Sequence, residues 1–380
     1  MSGTRHPVKV ATAAATSVLI FAAASLTMAP PASAFGTYNR FGQNAEHEKI
    51  TRSLASEGFV DDGLDLLAGT KGQLGGAGAP DELGSILIGP GSQHCDGAGY
   101  LPGKKGSQKE ADDAFRDCLH WFQWNMRDAL DAAGQLVDAD LTTNTDQSQA
   151  SFSTCAWPMY RGPDKTALCT VYNRLGRSLH LAQDFYAHSN WSDYSTGSTL
   201  DNPPGLDRVG EVPDGLRFPR NASLVSLEDG IINACDNTNV VKNWCVGRVK
   251  HDNSKLTRSD GINKDWGSVN VEDCWASKDG GHSVRSSTTD PQGRTNFARA
   301  ICSAINQTKV TWGDFQTEVM DSYGPERGAL IVQIIQTGTA PDTTPQPNPE
   351  PSTVNDPDAP VTADPDDDMR RALRPVEVGR

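Results

Sequence analysis

Apolar side chains recur at helical spacing in two long stretches of the chain. Over residues 108–137 (QKEADDAFRDCLHWFQWNMRDALDAAGQLV), Ala114, Cys118, Trp121, Ala129, Ala132 and Leu136 share one face, which predicts a long helix with a buried side. Over residues 165–190, after the helix-disfavouring Gly162-Pro163-Asp164, a second stripe runs through Leu168, Val171, Leu175, Leu179, Ala182 and Phe185. Shorter helices are expected over 46–55 (EHEKITRSLA, with Ile50 and Leu54 four apart), over 295–307 (TNFARAICSAINQ) and from Trp312 to about Tyr323. The intervening 72–104 and 192–287 are rich in Gly, Pro and Asn, lack periodicity and read as long loops. Strand-type alternation is scarce, so the expected fold class is mostly α: a helical domain with long loops.

The two ends differ from this middle. Arg5, His6 and Lys9 precede an apolar run from Val10 to Met28, and Ala32-Ser33-Ala34 follows with small side chains. Residues 1–34 are therefore expected to be a signal peptide with an A-x-A cleavage site. A membrane anchor is the rival reading, opposed by the dominance of Ala and by Pro30-Pro31. Cleavage would leave a secreted chain beginning at Phe35. Residues 338–380 turn to Pro, Thr and Asp with few apolar side chains; they cannot bury enough surface to fold and are expected to be a disordered tail. Residues 35–337 then form the folded domain.

Cysteine and charge narrow the class. The eight cysteines, at 95, 118, 155, 169, 235, 245, 274 and 302, all follow the signal segment. In an exported chain an even set reads as disulfides stapling the loops. Sequence leaves the pairing open. Zinc-binding cysteines are the alternative, but no Cys-x-x-Cys pair occurs. A formal net charge of -14 repels polyanions at long range unless bound cations reverse the local field, which argues against a nucleic-acid-binding module of the basic kind.

The chemistry concentrates on the second long helix. Residues at i, i+4 and i+8 drift by only about 40° per step and stay on one face, and His180, Asp184 and His188 have that spacing. Imidazole and carboxylate groups so placed suit a zinc ion; the alternative for any one pair is a surface or capping contact. His47 (EHEKIT), His94 (QHCDG) and His251 (KHDN) stand beside acids in polar contexts. His120, within LHWFQW, reads as a structural histidine, and His282, within DGGHSV, as a solvated loop residue. Tyr186, Trp191 and Tyr194 stand close to the motif, either lining a pocket or packing against the helix.

The stretch LGRSLHLAQDFYAHSNW resembles the signature of Het-C-type proteins and, more distantly, of the zinc-dependent phospholipase C and single-strand nuclease superfamily. The resemblance implies a helical phospholipase C-like domain holding two to three zinc ions. The ligands it implies are Phe35, through a free α-amino group and carbonyl, with His47, Asp81, His94, His180, Asp184 and His188. Asp81 would bridge two ions or orient the attacking water and so be the catalytic residue. The family's mature chains begin with Trp, whereas cleavage after Ala34 leaves Phe35; the ligand atoms there belong to the backbone. No His-x-x-x-Glu pair follows His188, and His251, with Asp252, Asp260 or Asp265, is the nearest candidate for the remaining ion. The implied activity is hydrolysis of a phospholipid or other phosphodiester, with peripheral membrane contact. A non-catalytic secreted zinc-binding protein and a nuclease of the same superfamily are the alternatives. No cluster of aromatic and basic residues for stacking a single strand is evident.

Overall fold

The computed structural model describes residues 35–37, 44–70, 73–81, 91–101, 103–104, 106–157, 163–200, 202–219, 230–232, 249, 262–264, 266–281 and 283–339. The expected signal peptide, His251, His282, Cys235, Cys245 and nearly all of the expected tail lie outside them. Seven α-helices are described: α1 (Glu46–Thr51), α2 (Asp61–Ala68), α3 (Gln108–Ala133), α4 (Ala167–His188), α5 (Val284–Ser287), α6 (Asn296–Tyr323) and α7 (Pro325–Thr337). Among the described residues, strand is confined to two antiparallel pairs of two-residue strands, β1 (Gly69–Thr70) with β2 (Gln73–Leu74) and β3 (Gly267–Ser268) with β4 (Lys278–Asp279). The fold is mostly helical, and no helix among the described residues is long and apolar enough to cross a membrane.

Local chemistry sets the ends of the long helices. Ser107 caps α3 by accepting from the Glu110 N–H while the Glu110 carboxylate accepts from the Ser107 N–H, so two otherwise orphaned donors are satisfied reciprocally. Thr166 and Thr295 cap α4 and α6 through their hydroxyls. Pro325 opens α7 directly after Gly324, and Gly338, at φ 77°, closes it.

Helix α4 is the centre of the assembly. It packs against α3 and α6, and every one of its residues is buried except Thr170 and Arg174. Its apolar stripe joins Phe115, Leu119 and Phe122 of α3 and Phe297, Ile301, Trp312 and Phe315 of α6 in one core; each such side chain taken from water contributes about 1.5–3 kcal/mol. Its polar face, carrying Asn173, Arg177, Ser178, His180, Gln183, Asp184 and His188, is buried as well. Polar groups out of water must find partners, so this face is an organised interior site rather than a solvated surface.

Three helical features differ from the sequence expectation. The expected break at 308–311 gives way to one continuous α6, which ends at Tyr323 as expected and is followed by α7. Thr308 and Thr311 sit mid-helix with their hydroxyls accepting from Gln183 of α4 and from Gln307 one turn earlier on α6, so a tertiary and a local partner offset their weak helix propensity. Helix α2 arises in a stretch with too few apolar positions to show a period. His120 is exposed on α3 instead of structural.

The loops are held covalently and by side chains. Cys95–Cys118, Cys155–Cys169 and Cys274–Cys302 are disulfides. Asn190, just past α4, donates to the carbonyls of Pro204 and Gly230 and accepts from the Ile232 N–H, which knits three loop segments at one residue. Tyr186 and Trp191 both donate to the Glu211 carbonyl and are buried in the core, so their role is packing.

One close approach governs how the 73–81 segment meets α4. A β-carbon on Gly176 would lie 2.2 Å from the Gly76 carbonyl carbon, and one on Gly76 would lie 2.0 Å from the Tyr172 carbonyl oxygen. Backbone passes over backbone there, and only glycine fits. Gly176→Ala is expected to destabilise the protein by roughly 1–3 kcal/mol, as over-packing does, read as a lower denaturant midpoint; an unchanged midpoint would show that the two segments are not held this tightly.

Candidate metal centre

The centre is assembled from four places in the chain. Helix α1 supplies His47, the tight turn Ala79–Asp81 supplies Asp81, the turn Gly91–His94 supplies His94, and α4 supplies His180 and Asp184. One ligand atom from each of His47, Asp81 and His180 lies within 4.8 Å of the others, and the same holds for His94, His180 and Asp184. Asp184 is the hub. One carboxylate oxygen is 3.0 Å from His47 Nε2, and the other is 3.0 Å from His180 Nε2 and 2.9 Å from His94 Nδ1. Asp81 Oδ1 lies 3.7 Å from His180 Nε2 and 3.8 Å from His94 Nδ1. The carboxylates and the rings of His47 and His180 are buried, and only the His94 side chain, 18 % exposed, reaches outward.

The rings of His47, His180 and the neighbouring His188 are oriented through Nδ1. His180 Nδ1 donates to the Ala77 carbonyl at 2.8 Å, and His188 Nδ1 donates to the His94 carbonyl at 3.0 Å. His47 Nδ1 donates to Gln183 Oε1 at 2.7 Å, while the Gln183 amide donates to the hydroxyls of Thr51 and Thr308. With Nδ1 spent in this way, His47 and His180 present Nε2 to the cluster. Partners of this kind fix the tautomer of metal-ligating imidazoles and raise their basicity. The two rings stack at 3.9 Å between centroids, so they cannot comfortably both carry charge.

The electrostatics follow from burial and from Asp184. Burial works against charge on Asp184, but His180 and His47 outweigh it and hold that carboxylate well below its usual range. Burial and the neighbouring His47 lower His180. His94 is opposed by burial yet held up at about 9 by its hydrogen bond to Asp184 and the fields of Asp184, Asp81 and Asp96; His47 is likewise raised against burial by Asp184. Positive charge is thus drawn to the point where the carboxylates converge. A divalent cation satisfies the same demand.

The donor set fits such an ion. Metal–ligand bonds of 2.0–2.1 Å at tetrahedral angles place ligand atoms about 3.3 Å apart; within the trio of His94 Nδ1, His180 Nε2 and Asp184 Oδ2 the separations are 2.9 to 3.1 Å, and Asp81 Oδ1 lies 3.7 Å from His180 Nε2 and 3.8 Å from His94 Nδ1. Asp81 Oδ1 is a buried atom with no hydrogen-bond partner, a state that costs roughly 1–3 kcal/mol unless something else engages it, and His47 Nε2 and Asp184 Oδ1, 3.0 Å apart, are buried with only each other as an ion pair. Buried His and Asp clusters of this kind can hold a metal ion.

Of the positions singled out by sequence, the structure brings together His47, Asp81, His94, His180 and Asp184. His188 is placed differently. Its Nδ1 lies 2.7 Å from Asp96 Oδ1, and among the described residues it joins neither trio. Phe35 approaches through its ring, which meets His47 edge-on at 6.0 Å, and in the intact chain its nitrogen belongs to a peptide bond. Sequence reasoning missed Gln183, Thr37, whose hydroxyl donates to Asp81 Oδ2 at 2.5 Å, and Glu46, whose carboxylate accepts N–H bonds from Gly36, Asn44 and Gly267. A glutamine beside Asp184 on a helix with no exposed face was the one available signal.

Gln183→Met removes the acceptor that orients His47 while keeping the side chain's length. Metal affinity of the purified protein, measured by equilibrium dialysis, is expected to fall about 10–100-fold with the helical circular dichroism retained; undiminished affinity would remove Gln183 from the site. No protein family, no curated protein and no solved structure matches this chain, so the centre is read from its own geometry.

Proposed function

We propose that this chain is a secreted zinc-dependent phosphodiester hydrolase of the phospholipase C type, acting on phospholipid head groups during peripheral contact with a membrane. The observation that carries the reading is the pair of adjoining trios, His47 with Asp81 and His180, and His94 with His180 and Asp184, which share His180, with the outward nitrogens of His47 and His180 already engaged. Imidazole and carboxylate donors at near-tetrahedral spacing favour zinc. Three disulfides suit an extracellular setting. Further ions, to a total of two or three, would draw on His188, His251 and the α-amino group and carbonyl of a Phe35 freed by cleavage after Ala34.

Bound zinc supplies a water of lowered pKa and offsets the charge of the phosphate oxygens. The residues do the rest. Asp81, with Oδ2 engaged by Thr37, presents Oδ1 beside His94 and His180, placed to orient an attacking water or accept its proton. His94 marks the side from which substrate arrives, since its ring alone among the five is accessible. Asp184 holds the three imidazoles in place.

The depth of the centre favours a second reading, a secreted zinc-binding protein without turnover, because structural zinc sites are closed whereas catalytic ones keep an open position. Zinc analysis and activity separate the two. The hydrolase reading expects bound zinc and release of phosphocholine from phosphatidylcholine, abolished by chelation, restored by zinc and lowered at least 100-fold by Asp81→Asn. Zinc without turnover on phosphatidylcholine or single-stranded DNA supports the binding protein, cleavage of the DNA alone supports a nuclease, and a folded chain that takes up no zinc defeats all three.

A further inference from the structure

Three consecutive residues run across the metal centre, and each is engaged by a different part of it. The Phe35 ring is fully buried edge-on against His47 and Phe297. Gly36 donates its N–H to Glu46 Oε2 at 2.9 Å, and its carbonyl accepts from the His47 N–H at 3.3 Å. Thr37 donates its hydroxyl to Asp81 Oδ2. Glu46 secures the arrangement from below, because its carboxylate also accepts from Asn44 and Gly267. The segment is anchored at both ends, and its last residue touches the carboxylate on which the proposed chemistry depends.

Thr37 is held in a single orientation. A β-carbon on Gly78 would lie 2.8 Å from the Thr37 methyl, so the methyl fills the space that glycine leaves. Gly78 in turn accepts the Asp81 N–H through its carbonyl, which makes the pocket for the methyl and the turn that carries Asp81 one unit. A β-branched side chain has little freedom at χ1; with the methyl seated, the hydroxyl is directed to Asp81. The consequence appears on the other carboxylate oxygen. Asp81 Oδ1 is buried, has no hydrogen-bond partner, and faces His180 Nε2 and His94 Nδ1.

We propose that Thr37 is the positioning residue for Asp81: it engages one carboxylate oxygen so that the other alone is presented to the metal centre. This rests on the metal reading above. A carboxylate free of Thr37 can turn and offer both oxygens to one ion, which changes the coordination number and withdraws the oxygen meant for water. The hydroxyl, not the bulk, is the active feature, and the two are separable. Thr37→Val keeps the shape and the methyl and removes the donor, whereas Thr37→Ser keeps the donor.

The test uses the chain beginning at Phe35 with Co²⁺ and Zn²⁺ as probes. Thr37→Val is expected to bind Zn²⁺ about 10–100-fold more weakly, as loss of an outer partner to a ligand does, and to change the visible absorption of the Co²⁺-loaded protein, which reports coordination number and geometry. Thr37→Ser is expected to restore both. In an Asp81→Asn background the Thr37→Val effect on affinity should largely vanish; an effect that persists there would show that Thr37 acts through folding and would overturn the proposal. Wild-type affinity and spectrum in Thr37→Val would overturn it too. A wild-type protein that binds neither ion refutes the metal reading itself, a result distinct from either.

Discussion

The interaction on which the centre depends is the Asp184 carboxylate shared among His47, His94 and His180. An ionised carboxylate removed from water loses several kcal/mol of solvation unless partners replace it, and Asp184 has no accessible surface. Its partners come from α1, from the turn before Cys95 and from α4 itself, so the carboxylate can be satisfied only when these three segments are together. The polar face of α4 therefore specifies tertiary structure in the way an apolar stripe does, with the difference that its demands are directional. The burial of α4 on all sides follows. Its apolar face needs α3 and α6, and its polar face needs the residues that complete the site.

Loops rather than helices carry two of the five converging residues, and each loop is pinned next to the residue it presents. Cys95, directly after His94, is bonded to Cys118 in the middle of α3, so the turn holding His94 is tied to the longest contact surface of α4. Asp81 is held by Thr37 and by the N–H bond to the Gly78 carbonyl. The Gly76–Gly176 approach brings the Ala77 carbonyl onto His180 Nδ1, so the contact that seats the segment on α4 also sets a ring tautomer. Residues on loops normally lose precision to motion; here covalent and hydrogen-bonded anchors within a residue or two of each donor offset that loss.

What was legible in the sequence divides by distance along the chain. The spacing of His180, Asp184 and His188 is a local property of a helix, and the apolar stripes of α3 and α4 are too, so both could be read from periodicity. Asp184 and His180 meet as that geometry requires, and His94, Asp81 and His47 join them. His188 shares the face but extends one turn further, where Asp96 and the His94 carbonyl receive it. The roles of Gln183, Thr37 and Glu46 depend on partners 136, 44 and 221 residues away, and no local pattern encodes them. The continuity of α6 was hidden in part for the same reason, since the amide that meets the Thr308 hydroxyl belongs to Gln183, 125 residues away.

The far end of α4 shows the same principle working with whole charges. Lys264 is fully buried and donates to the Ser189 carbonyl just beyond His188, where the exposed carbonyls of a helix end favour a cation. Asp193 lies between Lys264 and Arg285, 3.1 Å from one and 2.6 Å from the other. Two cations and one carboxylate out of water are tolerable because further acceptors surround them: the Ser189 and Ile262 carbonyls for Lys264, and the Pro203 carbonyl and Asn202 Oδ1 for Arg285. Removing one member would leave an uncompensated buried charge, a loss of about 3–5 kcal/mol. Helix α4 is thus held at its end by an ion network and along its polar face by the Asp184 cluster, and neither lets it rotate. A helix that cannot rotate keeps His180 and Asp184 in register with donors arriving from three other segments, which is the condition for five separate side chains to act as one site.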